Sequence, residues 1–246
     1  MTIAILNPSN RYRKDIAFHF DQDGVILDTE RVRQNLWIEA SREFGLRVPD
    51  NAFRFTIGLR REQILAEIQE RFAFSADGAE ALYRRRNELF EQFRSANGGI
   101  PLREGAARAL ETLEALKIPC TLVTNTPTLE TAKNLSPHQL ERAFVVRVHG
   151  DDVTQPKPHS EGYEKAVALI NVPAEISYGV EDSPFGMRAA FSAHLRVIAM
   201  RDMIPIPEDL RRNVIYVSSR RMKRIADFAT ASVHQLDSQG TNGKRM

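Results

Sequence analysis

Apolar and polar positions follow two different rhythms along this chain of 246 residues. Short apolar runs of strand length occur at 16–20, 120–123, 144–148, 176–180, 196–200 and 214–217. A short run such as Ile16 to Phe20 reads as a strand buried in an α/β protein. Between these runs, apolar residues recur at helical spacing over 106–116, 129–140 (broken), 163–170, 186–193 and 222–228. Such alternation predicts an α/β fold, a doubly wound parallel sheet with helices on its faces.

The stretch between Asp28 and Gly99 keeps only the helical rhythm. Val32, Leu36, Ala40 and Phe44 mark one helix, which Gly45 can cap. Ile64, Leu65 and Ile68 mark a second, and Ala79, Leu82, Tyr83, Leu89, Phe90 and Phe93 a third. An all-helical insert after the first strand implies a small second domain, expected to act as a lid. The expected division is an α/β core over 15–28 and 99–232 with the helical insert over 29–98. A polar extension, 1–14, and a Ser/Gly/Asn-rich tail, 235–246, are expected to be flexible.

Composition narrows the class. Thirty-four basic residues against 32 acidic give a net charge of +2, so no global charge favours nucleic acid or an anionic membrane surface. The single cysteine, Cys120, sits in an apolar run and cannot form an internal disulfide, which fits a reducing compartment and a core-filling role. No apolar run approaches the ~20 residues that span a bilayer. Arg11, Arg13 and Lys14 are not followed by the apolar stretch of a secretory signal. A cytoplasmic protein, monomeric or weakly self-associating, is the expectation.

The first strand run opens onto chemistry. Asp21 and Asp23 follow it directly and precede Gly24. In an α/β protein the carboxyl end of such a strand meets the ligand crevice, and a spacing of two puts both carboxylates on one side of the pleat. Charges that close repel unless a cation lies between them. An Asx turn that merely closes a strand is the plainer alternative. Three more polar segments end predicted strands or follow them closely: Thr124-Asn125-Thr126, Lys157-Pro158 and Glu181-Asp182-Ser183.

In this order, around a helical insert, the chain resembles the haloacid dehalogenase-like hydrolases from Ile16 to about Phe228. The phrases Phe-Asp-Gln-Asp-Gly-Val-Ile-Leu-Asp-Thr-Glu from Phe20 and Glu-Asp-Ser-Pro-Phe-Gly from Glu181 resemble the branch holding β-phosphoglucomutase and small sugar-phosphate phosphatases. The resemblance implies Asp21 as a nucleophile that forms an aspartyl-phosphate and Asp23 as general acid and base. It implies Mg²⁺ held by Asp21, the backbone carbonyl of Asp23 and Asp182, with Glu181 as a ligand or as an acceptor for metal-bound water. Thr124 and Lys157 complete the phosphoryl cradle, and Asn125 contributes to substrate binding. Arg61, in Gly58-Leu59-Arg60-Arg61-Glu62, stands where this branch carries a substrate-facing arginine. One residue of Arg84-Arg85-Arg86 could hold the distal part of a charged substrate; adjacent helix positions point ~100° apart, so all three cannot turn inward.

Departures from the branch favour phosphatase over mutase. Arg33 stands where the mutases carry a histidine, and Thr126-Pro127-Thr128 replaces their Ser-Lys-Asn. The insert contains no lysine, which argues against the Schiff-base chemistry of a related phosphonate-cleaving branch. Gln22 replaces the usual apolar residue between the aspartates, and its side chain is expected to point away from the site. Lys157-Pro158-His159-Ser160-Glu161 departs from the commoner Lys-Pro-x-Pro-Asp, with His159 read as a solvated loop residue and His19 as a buried core residue. The reading is a Mg²⁺-dependent phosphatase of a small phosphorylated metabolite, with a β-phosphoglucomutase-like mutase as alternative. A weaker alternative is a non-catalytic binding module using the basic cluster Arg211, Arg212, Arg220, Arg221, Lys223 and Arg224.

Overall fold

The computed structural model describes residues 11–218 and 222–242. Six strands form one sheet: β1 (Ala17–Phe20), β2 (Cys120–Val123), β3 (Val146–Val148), β4 (Ser177–Glu181), β5 (Arg196–Met200) and β6 (Tyr216–Ser218). Their order is β3-β2-β1-β4-β5-β6, and every neighbouring pair is parallel. All carboxyl ends therefore lie along one edge. The chain steps outward from β1 through β2 to β3, then returns to β4 on the other side of β1. The β1/β4 junction is thus the switch point at which open α/β sheets form their ligand crevice.

Nine α-helices accompany the sheet among the described residues. Three fall between β1 and β2: α1 (Thr29–Glu43), α2 (Arg61–Phe72) and α3 (Ala76–Ala96). The rest are α4 (Ala106–Ala115), α5 (Thr128–Leu135), α6 (Glu161–Ile170), α7 (Pro184–Ser192), α8 (Glu208–Arg211) and α9 (Lys223–Asn242). The broken helix expected over 129–140 is α5 followed by two 3-10 turns.

Strand alternation sorts β1 between two layers. Ala17 joins the cluster of Tyr163, Ala166 and Ile170 from α6 with Met187 and Ala190 from α7. Phe18 faces the other way, 5.2 Å from the Tyr178 ring, which Phe228 of α9 meets edge-on, also at 5.2 Å. His19 is fully buried and bonded to Thr121 Oγ1 at 2.8 Å. Burial lowers its pKa to about 3, so it is a neutral core residue.

The chain divides into two compact units, Met1–Leu27 with Leu102–Met246, and Asp28–Pro101. Within the second unit no strand occurs among the described residues. There α1 ends in a Schellman turn: Gly45 takes φ +76°, and the Leu46 N–H reaches the Ser41 carbonyl at 2.9 Å. Trp37 stacks on Phe53 at 5.0 Å, and Phe53 lies 5.1 Å from Phe72. Arg85 reaches outward to Glu43 at 2.6 Å, and Arg84 is exposed, whereas Arg86 is buried with its guanidinium 4.6 Å from the Trp37 ring.

The expectation of flexible ends needs correction. Residues 11–14 are tied down: Tyr12 donates to Glu114 at 2.8 Å, the Arg13 N–H to the Lys117 carbonyl at 2.8 Å, and Lys14 to the Ile170 carbonyl at 2.9 Å. Residues 235–242 are not a loose tail but the last turns of α9, which packs on α4. Val233, on the same helix, is buried and Arg13 bridges to Asp237 at 2.9 Å, anchors that a polar composition conceals. Residues 1–10 and 243–246 lie outside the described residues, as do Arg220 and Arg221 of the basic cluster. Within that cluster Arg211 faces Glu208 at 3.4 Å and Lys223 faces Asp227 at 3.4 Å, so its positive charge is partly offset in place. Among the described residues no helix is long and apolar enough to cross a membrane.

Candidate active site

The carboxyl ends of β1, β2 and β4 deliver Asp21, Thr124 and Asp182 to one edge because those strands are adjacent and in parallel register. Asp21 continues the β1 ladder, its N–H donating to the Val180 carbonyl of β4 at 3.0 Å. At Gly24 the chain turns with φ +77°, and a Cβ there would fall 1.9 Å from Asp182 Oδ2. Only glycine supplies both that backbone conformation and that clearance.

Lys157 is the hub. Its ammonium donates to Asp21 Oδ1 at 2.7 Å, to Glu181 Oε1 at 2.5 Å and to the Val123 carbonyl at 2.8 Å, which uses all three of its protons. Burial works against that charge, but Asp21 and Glu181 outweigh it and hold the lysine pKa above its ordinary value. Asp21 is pushed well up from the usual carboxylate range, first by burial and then by Glu181 and Asp23, against the pull of Lys157.

The Lys157 loop is built by two side chains. Asn125 Oδ1 accepts from the Lys157 N–H at 2.9 Å, and Asn125 Nδ2 donates to the Lys157 carbonyl at 3.3 Å. Glu161 accepts from the Thr154 N–H at 3.1 Å, the Thr154 hydroxyl at 2.8 Å and the Gln155 N–H at 2.8 Å. Together with Lys165, these bonds lower the Glu161 pKa to about 2. His159 is exposed, and its Nδ1 accepts from the Glu161 N–H at 3.1 Å. Thr124 is buried and its hydroxyl oxygen accepts from the Thr126 N–H at 3.0 Å, which leaves the hydroxyl proton to be donated elsewhere.

Oxygens of Asp21, Glu181 and Asp182 gather within 4.8 Å of one another. Two buried carboxylates, Asp21 and Glu181, share one ammonium beside buried Asp182, and Glu181 Oε2 is buried without a hydrogen-bond partner among the described residues. An excess of buried negative charge made of hard oxygen donors fits a small divalent cation.

Some placements differ from the expectation. Gln22 was expected to turn away from the site; instead its Nε2 lies 3.2 Å from Asp23 Oδ2. Strand alternation, the basis of that expectation, stops at Phe20, and in the turn that follows neighbouring side chains can converge. Asn125, read as a substrate contact, spends its side chain on the Lys157 backbone. Arg61 lies in the insert, exposed and paired with Glu80 at 2.6 Å. Tyr163 was not singled out in the sequence beyond opening a helix, yet its hydroxyl donates to Glu181 Oε1 from full burial. A buried tyrosine needs such a partner, but nothing local to Tyr163 names it.

Residues 19–200 match the family model described as haloacid dehalogenase-like hydrolase. The chain is 30% identical over 186 residues to a phosphorylated carbohydrates phosphatase of Thermotoga maritima, covering 74% of this chain and 83% of that protein. It is 24% identical to hexitol phosphatase B of Escherichia coli, covering 80% and 86% respectively. A HAD family hydrolase from Deinococcus radiodurans, solved with bound phosphate and sodium, superposes with a TM-score of 0.74 at 24% identity, over 90% of this chain and 98% of that one. The chain belongs to the haloacid dehalogenase-like hydrolases.

Proposed function

We propose that this hydrolase is a Mg²⁺-dependent phosphatase acting on a small phosphorylated metabolite, a sugar or polyol phosphate, through an aspartyl-phosphate on Asp21. The observation that carries the reading is the convergence of Asp21, Lys157, Glu181 and Asp182 at the β1/β4 switch point. The curated relatives named for phosphorylated carbohydrates and hexitols support the substrate class.

Each residue then has a part. Asp21 attacks phosphorus, and Asp23, two residues on, protonates the departing alkoxide and later takes a proton from the hydrolytic water. Lys157 holds Asp21 in place and offsets charge on the transferring oxygens, while the Thr124 hydroxyl donates to one of them. Asp21, Asp182 and the Asp23 carbonyl would hold Mg²⁺, with Glu181, fixed by Lys157 and Tyr163, as the anionic wall behind them. The bound ion lowers the repulsion between an anionic nucleophile and an anionic phosphoryl group. Within the insert, Arg86 is a buried cation, of a kind that suits a second anionic group on the substrate. Arg33 and Pro127 stand in place of groups tied to mutase action, which favours water as the final acceptor.

The test is phosphate release from a panel of sugar, sugar-acid and polyol phosphates, with Mg²⁺ and with EDTA. Turnover that needs Mg²⁺ and disappears in Asp21→Asn is expected. Release of phosphate from no member of the panel, or undiminished activity of Asp21→Asn, overturns the proposal; conversion of β-glucose 1-phosphate to glucose 6-phosphate transfers it to the mutase reading.

A further inference from the structure

Asp23 does not stand by itself at the site edge. The Thr126 hydroxyl donates to its Oδ2 at 2.7 Å, and the Gln22 amide donates to the same oxygen at 3.2 Å. A carboxylate only accepts, so it is the amide nitrogen of Gln22, not its oxygen, that faces Asp23.

Both donors come from residues with little freedom. The Thr126 N–H is bound to Thr124 Oγ1 at 3.0 Å, and its carbonyl accepts from the Gly150 N–H at 3.1 Å. The Gln22 carbonyl accepts from the N–H groups of Ile26 and Leu27, each at 3.0 Å. Gln22 is fully buried, and its Oε1 has no hydrogen-bond partner among the described residues. Burying an amide half-satisfied is costly, and an apolar side chain avoids that cost. The Asp23 contact is what the glutamine supplies and an apolar residue cannot.

We propose that Gln22 and Thr126 are positioning residues that clamp the Asp23 carboxyl in the orientation from which it exchanges protons with the leaving group and with water. The inference rests on the phosphatase reading. Both donors engage Oδ2, and in this proposal the proton is exchanged at the other carboxyl oxygen, Oδ1. In the first half-reaction an Asp21 oxygen bonds to phosphorus, the ester O–P bond breaks, and the Oδ1 proton passes to the departing alkoxide. In the second, a water oxygen bonds to phosphorus, its proton returns to Asp23, and the Asp21–phosphorus bond breaks to release phosphate.

Leaving-group dependence tests the clamp. An alkyl phosphate needs a proton on its leaving oxygen, whereas p-nitrophenyl phosphate departs as a stable phenolate. In Gln22→Leu and Thr126→Val, kcat/KM for an alkyl phosphate should fall roughly tenfold or more, while that for p-nitrophenyl phosphate stays within about twofold of wild type. Thr126→Ser keeps the hydroxyl and should keep both values. If Gln22→Leu does not fold, Thr126→Val against Thr126→Ser makes the same comparison. Equal losses on the two esters, or no loss on either, overturn the clamp while leaving the phosphatase reading in place. Wild-type protein that releases phosphate from neither ester overturns the phosphatase reading, and the clamp with it.

Discussion

Asn125 and Lys157 hold each other across 32 residues of sequence: the lysine N–H meets Asn125 Oδ1 at 2.9 Å, and the asparagine amide returns a bond to the lysine carbonyl at 3.3 Å. The asparagine thus fixes the backbone that aims the site's buried ammonium.

Asn125→Ala should therefore lower kcat roughly tenfold through misplacement of Lys157, with a smaller change in KM. Steady-state kinetics on any accepted phosphate ester check this. A rise in KM alone would mark Asn125 as a substrate contact instead.

The surplus of buried carboxylate predicts a metal-dependent stability. Mg²⁺ at 100 times its Kd should stabilise the native protein by about 2.7 kcal/mol, because the unfolded chain has no such site. Thermal unfolding with Mg²⁺ and with EDTA should show a higher Tm in the first, and Asp182→Asn should abolish most of the difference.

Glu161 predicts a pH signature. Bonds to Lys165, Thr154 and Gln155 depress its pKa to about 2 in the folded protein. A depressed carboxylate pKa stabilises above the ordinary value, near 4.5, and that contribution disappears as pH falls toward 2. Wild type should melt above Glu161→Gln at pH 7, with the gap narrowing steadily below pH ~4.5. Melting curves across that range would reject the assignment if the gap were constant.

Arg86 predicts a division between stability and function. Burial lowers its pKa to about 10, with Arg33 adding to the effect, and its Nε has no hydrogen-bond partner among the described residues. Arg86→Met removes a desolvated charge and keeps an unbranched chain against Trp37, so Tm should hold or rise by a few degrees. KM should rise for substrates with a second anionic group and not for neutral ones. A uniform KM across both kinds would make Arg86 purely structural.

Legibility in the sequence followed how local each determinant is. β2 and β5 fall on residues 120–123 and 196–200, as the apolar runs imply, because all but Arg196 are buried and leave a mostly apolar signal. The Asp21, Thr124, Lys157 and Asp182 segments were legible because each follows a strand or closely succeeds one. The length of α9 was not, since Ser/Gly/Asn composition resembles a mobile tail and the anchoring Arg13 is 224 residues away. Tyr163 finds its partner 18 residues on, across two elements, where spacing carries no information. Which arginine of Arg84-Arg85-Arg86 turns inward depends on the rotation of α3, and Gln22 depends on where a strand stops.

The insert's boundaries have an evolutionary consequence. Leu27 bridges antiparallel to Leu102, and the Asp28 N–H donates to the Pro101 carbonyl at 2.8 Å, so the chain departs and returns at neighbouring points. Each doubling of the length looped out between fixed points costs only about 0.6 kcal/mol. A segment grafted in this way can be lengthened, shortened or exchanged between lineages while the sheet and its carboxylates keep their registry. Under the proposed division of labour, substrate preference and reaction chemistry would be free to evolve on separate clocks.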